Sequence, residues 1–573
     1  MPHTPDLLRD FDGKIQQILQ NGLTSQGSVY VERVGESKQH GTFYNSEGEN
    51  NSRDSNNDDS TIYCIASITK VLIALLLSII VDGLSLSQEL KHRRYRALRQ
   101  FATDPWKTSF TSLFNRFSKT KIALLPQDPT LLQVLLHFNS LPPITHILLG
   151  PDGTSLMSRE SFLRVAPRLA NDAYGNSQEN RLVYNNSGYI LIGIFIEAVS
   201  GDMLESVMQE YLFSPLKMER SFLGTPDCTV TGIASPYTTS VNGPLPLAYT
   251  QLYPVGNIMN AALGAWSCCR DLAILFRALQ ACIDGDPSIF NQESIRHLFK
   301  PQAKPNQKLE DGFTICGICT TLDSPTVGSK SINRLISPNN ICSTYRLGTR
   351  PNGKQIPAYY FAGHIEGYSS CFYFMPRHKS FVIVLTSSTG RTDSSDHISR
   401  LLLQEMFDLE RSQKGLVPTR KSNCTKQVDV VEMSRLVAIE GQNLLEKFAA
   451  QDAKQDAKGI SPIRLQGIYL NEKTEHKIVI EAGGKLVRIV GTAQVATGSA
   501  FIETGAMGII RTGNETIRLR PLSQIGFTID RLDPYSWNNL TLSLTVGQDE
   551  NGNPAALCLE RHTDLFVDKF MRQ

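Results

Sequence analysis

The stretch Tyr63-Cys64-Ile65-Ala66-Ser67-Ile68-Thr69-Lys70-Val71-Leu72-Ile73-Ala74-Leu75-Leu76-Leu77 decides how this 573-residue chain is read. The apolar run from Val71 to Val81, broken only by Ser78, predicts a helix buried on all sides. It is too short to cross a bilayer, which takes about 20 residues. Ser67 opens this helix three residues before Lys70, so the two side chains leave one face. At a helix start, backbone N–H groups and the helix dipole favour negative charge developing on the serine. A lysine beside it, as an ammonium or as a neutral amine if burial lowers its pKa, can take the hydroxyl proton. The same S-x-x-K spacing occurs at Ser118-Lys119-Thr120-Lys121 and Ser214-Pro215-Leu216-Lys217. The first lies in a basic surface stretch and the second has proline directly after its serine. Only the copy at Ser67 opens an apolar helix that would bury its lysine. Taken alone, the motif is equally a helix cap followed by a surface lysine.

A second segment, Tyr184-Asn185-Asn186-Ser187-Gly188-Tyr189-Ile190-Leu191-Ile192-Gly193, places a phenol two residues before an amide at another helix entrance. A tyrosine serves as a base only when cations pull its pKa well below about 10, a role open to Lys70. Tyr174-Gly175-Asn176 repeats the spacing, but no apolar helix follows it. A third segment, Ala362-Gly363-His364-Ile365-Glu366-Gly367-Tyr368-Ser369-Ser370, reads as strand residues around one histidine. His137 reads as a packing or capping residue of its own helix. No histidine or carboxylate spacing suggests a metal site.

The order of these and other segments resembles the class C β-lactamase, D-Ala-D-Ala peptidase and esterase family, which includes fungal acyltransferases of polyketide assembly. Thr130–Pro142 is similar to the family's helix ending in a Gly-Leu-Pro turn, and 184–193 to its YSNxGYxLLG. Glu197-Ala198-Val199-Ser200-Gly201, Leu212–Met218 and Ala262–Leu272 are similar to its E-x-x-S-G, I-x-x-P-L-G-M and G-G-x-x-S-T-x-x-D-L segments. The likeness spans roughly residues 25 to 410. It implies that Ser67 is acylated, that Lys70 orients and deprotonates it, and that Tyr184 relays protons. Asn186 would bond the substrate's acyl side, His364 would stand for the basic residue of the family's edge strand, and the Ser67 N–H would form half of an oxyanion hole. Glu366 departs from the pattern, standing where the family has glycine, and the absence of a lysine near His364 argues against a true β-lactamase.

The expected fold is α+β, β-lactamase/transpeptidase-like, an antiparallel sheet flanked by helices, followed by a C-terminal antiparallel β-barrel-like domain. Residues 1–415 are assigned to the catalytic domain, 416–460 to a linker with a helix, and 461–573 to the β domain, where period-two runs alternate with turn residues. The linker holds a helical pattern through Val437, Leu444, Leu445 and Phe448 and the tandem QDAKQDAK at 451–458. Residues 36–60, rich in Asn, Asp and Ser, read as a solvated loop.

Hydrophobic residues at 41%, charged residues at 20% and a formal charge of +2 exclude a disordered chain and give no cause to expect nucleic acid. The basic stretch 91–121 reads as a pair of solvated helices or, more sharply, as a docking surface for an acidic carrier partner. Eleven irregularly spaced cysteines suggest free thiols, those of Cys316-Gly317-Ile318-Cys319 included, and with the lack of a secretion signal point to the cytoplasm. No cofactor is expected. The function implied is a serine hydrolase or acyltransferase acting on an ester, thioester, lactone or amide, a small-molecule acyl substrate of polyketide or terpenoid type, in secondary-metabolite biosynthesis. The alternative is a catalytically inactive, ligand-binding member of the fold.

Overall fold

The computed structural model describes residues 7–45, 59–82, 93–139, 155–174, 184–240, 243–247, 253–301, 312–314, 317–322, 352–365, 367–389, 391–409, 430–453, 461–474, 476–481, 486–495, 498–503, 507–512, 516–521, 543–551, 553–559 and 568–573, with isolated positions between them. Glu366, Cys316, Lys91, residues 175–176 and residues 454–458 of the tandem repeat lie outside the described residues, as do positions 46–58 of the expected loop 36–60, of which Ser37–Tyr44 forms a sheet strand instead. The chain divides into two compact units. One comprises Met1–Trp106, Val199–Tyr249 and Asn260–Leu444; the other comprises Lys107–Ala198, Thr250–Met259 and Leu445–Gln573.

The first unit is built on a seven-stranded antiparallel sheet. Its strands are β1 (Gln26–Arg33), β2 (Ser37–Tyr44), β3 (Gly312–Thr314), β4 (Gly317–Thr321), β5 (Pro357–Ile365), β6 (Tyr368–Met375) and β7 (Ser380–Thr386), in the order β2-β1-β7-β6-β5-β4-β3. Every residue of β6 and β7 is buried, because both faces of these central strands are covered. The period of two sorts their side chains between two helical layers. Phe372, Phe374 and Phe381 pack on Phe276 of the helix Cys269–Asp284. Tyr373 points the other way, its hydroxyl donating to Asp396 Oδ1 in the helix Ser394–Met406 at 2.6 Å. Arg400, one turn along that helix, donates from Nε to Asp396 Oδ2 at 2.7 Å in full burial.

The helix Thr69–Asp82 is buried at every position from Thr69 to Val81, as its all-round apolar sequence requires. It packs against Arg93–Phe101, Gln209–Phe213, Asn260–Leu263 and Gln292–Leu298. Its start is tied to a small sheet in which Ala265–Ser267 pairs with Tyr63–Cys64 on one side and Phe222–Leu223 on the other. The helix Val430–Ala453 buries Val430, Met433, Val437 and Ala438 along one stripe.

The second unit carries the helices Phe110–Phe117, Leu131–Leu135, Arg159–Tyr174 and most of Ser187–Ser200. Thr130 starts its helix with a capping box, its hydroxyl accepting from Gln133 N–H while Gln133 Oε1 accepts from Thr130 N–H. Nine strands follow: β8 (Gly467–Asn471), β9 (His476–Ile480), β10 (Leu486–Val495), β11 (Gly498–Glu503), β12 (Met507–Thr512), β13 (Thr516–Pro521), β14 (Ser543–Gln548), β15 (Pro554–Leu559) and β16 (Asp568–Arg572). Their order is β9-β8-β16-β15-β14-β13-β12-β10-β11, and β9 also pairs with β10.

The basic stretch forms two helices that are not wholly solvated. Tyr95 and Leu98 of Arg93–Phe101 are buried in the first unit, and Phe110, Leu113 and Phe114 of Phe110–Phe117 in the second. Arg96, Arg99, Lys107, Arg116, Lys119 and Lys121 remain exposed. Among the described residues no helix is long and apolar enough to cross a membrane, and no group of side chains could hold a metal ion.

Candidate active site

The first cluster forms where the small sheet runs into the helix Thr69–Asp82. Ala66–Ile68, entered from Ile65, makes a tight turn of 3-10 type in which Ala66 takes a φ of +46°. That left-handed conformation costs a non-glycine residue on the order of 1 kcal/mol and persists only where its surroundings fix it. They do so here through several bonds. Ile65 N–H donates to Ala265 O at 2.9 Å, Ile68 N–H to Ile65 O at 3.1 Å, and Ala265 N–H to the Thr69 hydroxyl at 2.9 Å. The result presents a half-buried Ser67 at the head of a buried helix.

Lys70 is 1% exposed, and its Nζ lies 3.2 Å from Ser67 Oγ and 2.9 Å from the carbonyl oxygen of Ala262. Burial holds the amine well below its usual pKa. A neutral amine that donates one N–H to Ala262 O keeps its lone pair for the serine proton. Asn260, two residues before Ala262 and fully buried, donates from Nδ2 to Glu205 Oε1 at 2.8 Å.

Strand β5 passes directly beside this turn. A Cβ at Gly363 would lie 2.2 Å from Ile65 O and 2.9 Å from Ser67 N, so only glycine lets the strand come this close. Ser370, the cross-strand partner of Gly363, aims its hydroxyl at Ile65 O (3.0 Å) and Gly363 O (3.2 Å). His364 falls on the opposite face, as alternation along a strand demands. Its Nε2 lies 3.2 Å from Asp393 Oδ2, and its cross-strand partner Ser369 donates to Asp393 Oδ1 at the same distance. Burial alone would raise the Asp393 carboxyl, but His364, the Ser395 hydroxyl and the Asp396 N–H hold it below the usual carboxylate range. The structure therefore brings Ser67, Lys70 and Gly363 together and holds the His364 ring, expected at the substrate, against Asp393.

The second cluster lies in the other unit and knits two segments that the sequence presents separately. Tyr184 is 44% exposed and its ring lies 4.5 Å from that of His137, which is buried and adopts a φ of +63°. His137 Nδ1 accepts the Asn185 N–H at 3.4 Å, which leaves the proton of a neutral ring on Nε2. Asn185 Nδ2 donates to Asn139 Oδ1 at 3.1 Å, and Asn185 Oδ1 caps the next helix through Gly188 N–H at 3.0 Å. Tyr189 closes the joint by donating its hydroxyl to Leu135 O at 3.0 Å. Asn186 sits half-buried at the entrance of the helix Ser187–Ser200.

Asn260 carries no motif of its own and is an ordinary polar residue until the fold buries it, whereas Asn139 and Ser370 lie within segments singled out in the sequence but had no role assigned there. Gly363 did carry a signal, since a glycine inside a strand pattern marks a close backbone approach. His137, read as a packing residue, packs between Tyr184 and Tyr189.

An antiparallel sheet enclosed by helices, with a serine-lysine pair at the head of a buried helix beside one strand, defines the β-lactamase/transpeptidase-like fold. The chain belongs to the beta-lactamase family, whose model matches residues 20–405. That family is one of serine hydrolases of the β-lactamase type. Among solved structures, the chain is similar to the octameric penicillin-binding protein homologue from Pyrococcus abyssi, with 18% identity and a TM-score of 0.51 over 99% of this chain and 100% of that one. A β-lactamase/D-alanine carboxypeptidase from Pseudomonas syringae has 14% identity and a TM-score of 0.45 over 70% of this chain and 99% of its own. A class C β-lactamase from Rhodobacter sphaeroides has 13% identity and a TM-score of 0.46 over 69% and 98%. No curated protein matches the chain. The likeness to the Pyrococcus protein extends the shared fold through the C-terminal strands.

Proposed function

We propose that the protein is a serine hydrolase or acyltransferase that works through an acyl-enzyme on Ser67. The observation that supports this most is the 3.2 Å approach of a buried, pKa-lowered Lys70 amine to the Ser67 hydroxyl. In the proposed reaction the amine takes the Oγ proton as Ser67 attacks the carbonyl of an ester, thioester, lactone or amide. The tetrahedral oxyanion develops against the Ser67 N–H at the helix start. Tyr184 hands a proton to the leaving group and later takes one from the incoming water or alcohol, and Asn186 bonds the acyl side of the substrate. The family's order of motifs supports the assignment of these two.

The finer reading is biosynthetic acyl transfer on a small molecule of polyketide or terpenoid type by a cytoplasmic enzyme. It is supported by the likeness of the motifs to fungal acyltransferases and by buried thiols such as those of Cys268, Cys282 and Cys371, which form no disulfide. An acidic carrier would be met by exposed basic residues such as Lys107, Arg116, Lys119 and Lys121. A p-nitrophenyl ester turned over with and without an alcohol acceptor tests the proposal. Release of nitrophenol by the wild type, its loss in Ser67→Ala, and formation of the alcohol's ester are expected. No turnover by the wild type would overturn it in favour of a binding protein, and turnover undiminished in Ser67→Ala would remove Ser67 as the nucleophile.

A further inference from the structure

The turn carrying Ser67 holds a strained residue, Ala66, and its carbonyl-side anchor is contributed by a residue 305 positions away in sequence. Ser370 is wholly buried, and its hydroxyl has one proton to give. That proton lies within reach of two carbonyls, Ile65 O at 3.0 Å and Gly363 O at 3.2 Å. Ile65 is the residue that begins the turn; Gly363 is the strand residue against the Ser67 N–H. One shared hydroxyl thus joins the serine turn to β5 at the point where the two backbones touch. The Ser370 Oγ lies only 2.7 Å from where a Gly363 Cβ would stand, so the hydroxyl reaches into space that glycine leaves open.

We propose that Ser370 is a positioning residue for the nucleophile, holding the Ile65–Ser67 turn against β5 so that the Ser67 Oγ and N–H keep their attacking geometry. This rests on the acyl-enzyme reading of Ser67. Ser370 touches no reacting atom and acts through the turn. Its strand neighbour Ser369 supplies an internal comparison: it is equally buried but faces Asp393 on the other side of the sheet. Each hydroxyl has two buried partners, Ile65 O and Gly363 O for Ser370, Asp393 Oδ1 and Ser395 Oγ for Ser369, so removing either takes a like number of contacts from the same strand. Only Ser370 should affect acylation.

The test is the rate at which a fluorophosphonate labels Ser67 in the full-length protein, resolved into a binding constant and a maximal labelling rate. Ser370→Ala should lower the maximal rate about tenfold, the equivalent of one hydrogen bond, with the binding constant changed less than about twofold. Ser370→Thr, which keeps the hydroxyl, should recover most of that rate. Ser369→Ala should label at the wild-type rate whatever its melting temperature. If Ser370→Ala does not fold, Ser370→Cys, nearly isosteric but a weak donor, gives the same comparison with Thr. Wild-type labelling in Ser370→Ala or Ser370→Cys, or an equal loss in Ser369→Ala, overturns the role of Ser370 alone. No labelling of the wild type overturns the acyl-enzyme reading and this role with it.

Discussion

Gly363→Ala is the sharpest perturbation of the site because it adds one methyl group at the contact between β5 and the serine turn. The new Cβ would stand 2.2 Å from Ile65 O, 2.7 Å from Ser370 Oγ and 2.9 Å from Ser67 N. Ordinary contact starts at 3.4 Å, so about 1.2 Å must be found. Two of the three obstacles are backbone atoms, and no side-chain rotation relieves them. Either β5 moves outward, against its pairing with β6, or the serine turn moves, against its bonds to Ala265. Overpacking of this kind costs about 1–3 kcal/mol, and a displacement of about 1 Å at a nucleophile can cost on the order of a hundredfold in rate. Nitrophenyl ester turnover and urea unfolding read the two effects together. The expected result is a loss of at least about tenfold in kcat along with the stability decrement. Turnover within about twofold of wild type at unchanged stability would refute the close approach of strand and turn.

Three further substitutions test the account elsewhere. Lys70→Met should abolish turnover and also remove a pH dependence of stability. The folded pKa of Lys70 lies below the unfolded value of about 10.4, so between the two the unfolded chain holds a proton that the folded one lacks. Wild-type stability should therefore rise with pH across that window, by about 1.4 kcal/mol per unit of pKa depression, and the rise should be missing in the variant; urea titrations at a series of pH values decide it. Arg400→Leu strands the buried Asp396 carboxylate and should cost about 3–5 kcal/mol by denaturant unfolding, whereas a change below about 1 kcal/mol would mean that the pair is not buried as described. Gly13→Ala, in the middle of the helix Leu7–Gly22 with open space at its Cβ, should stabilise by about 0.5–1 kcal/mol, and a loss of stability would place that helix face against a neighbour.

The local patterns were legible where one short segment determines its own structure. The apolar run after Ser67 became the buried helix Thr69–Asp82. The stretches 358–361, 370–374 and 381–385, rich in aromatic and β-branched residues, form the cores of β5, β6 and β7. In the C-terminal part, the period-two runs became paired strands such as β12 and β13, antiparallel from Met507 opposite Pro521 to Thr512 opposite Ile517. What could not be read is set by long-range pairing. The sidedness of His364 follows from the register of Gly363 on Ser370 and from the contact of Gly363 with Ile65, neither of which has a local signature. The left-handed Ala66 is equally hidden, since no glycine or asparagine announces it. Nor does any composition shift mark the packing of 107–198 in one unit with 445–573.

The measurement that bears most directly on the account is the intact mass of the protein after exposure to a fluorophosphonate, followed by peptide mapping. One adduct on the peptide containing Ser67, absent from Ser67→Ala and strongly slowed in Lys70→Met, is the expected outcome. An unmodified wild type, or an adduct that persists in Ser67→Ala, would contradict it.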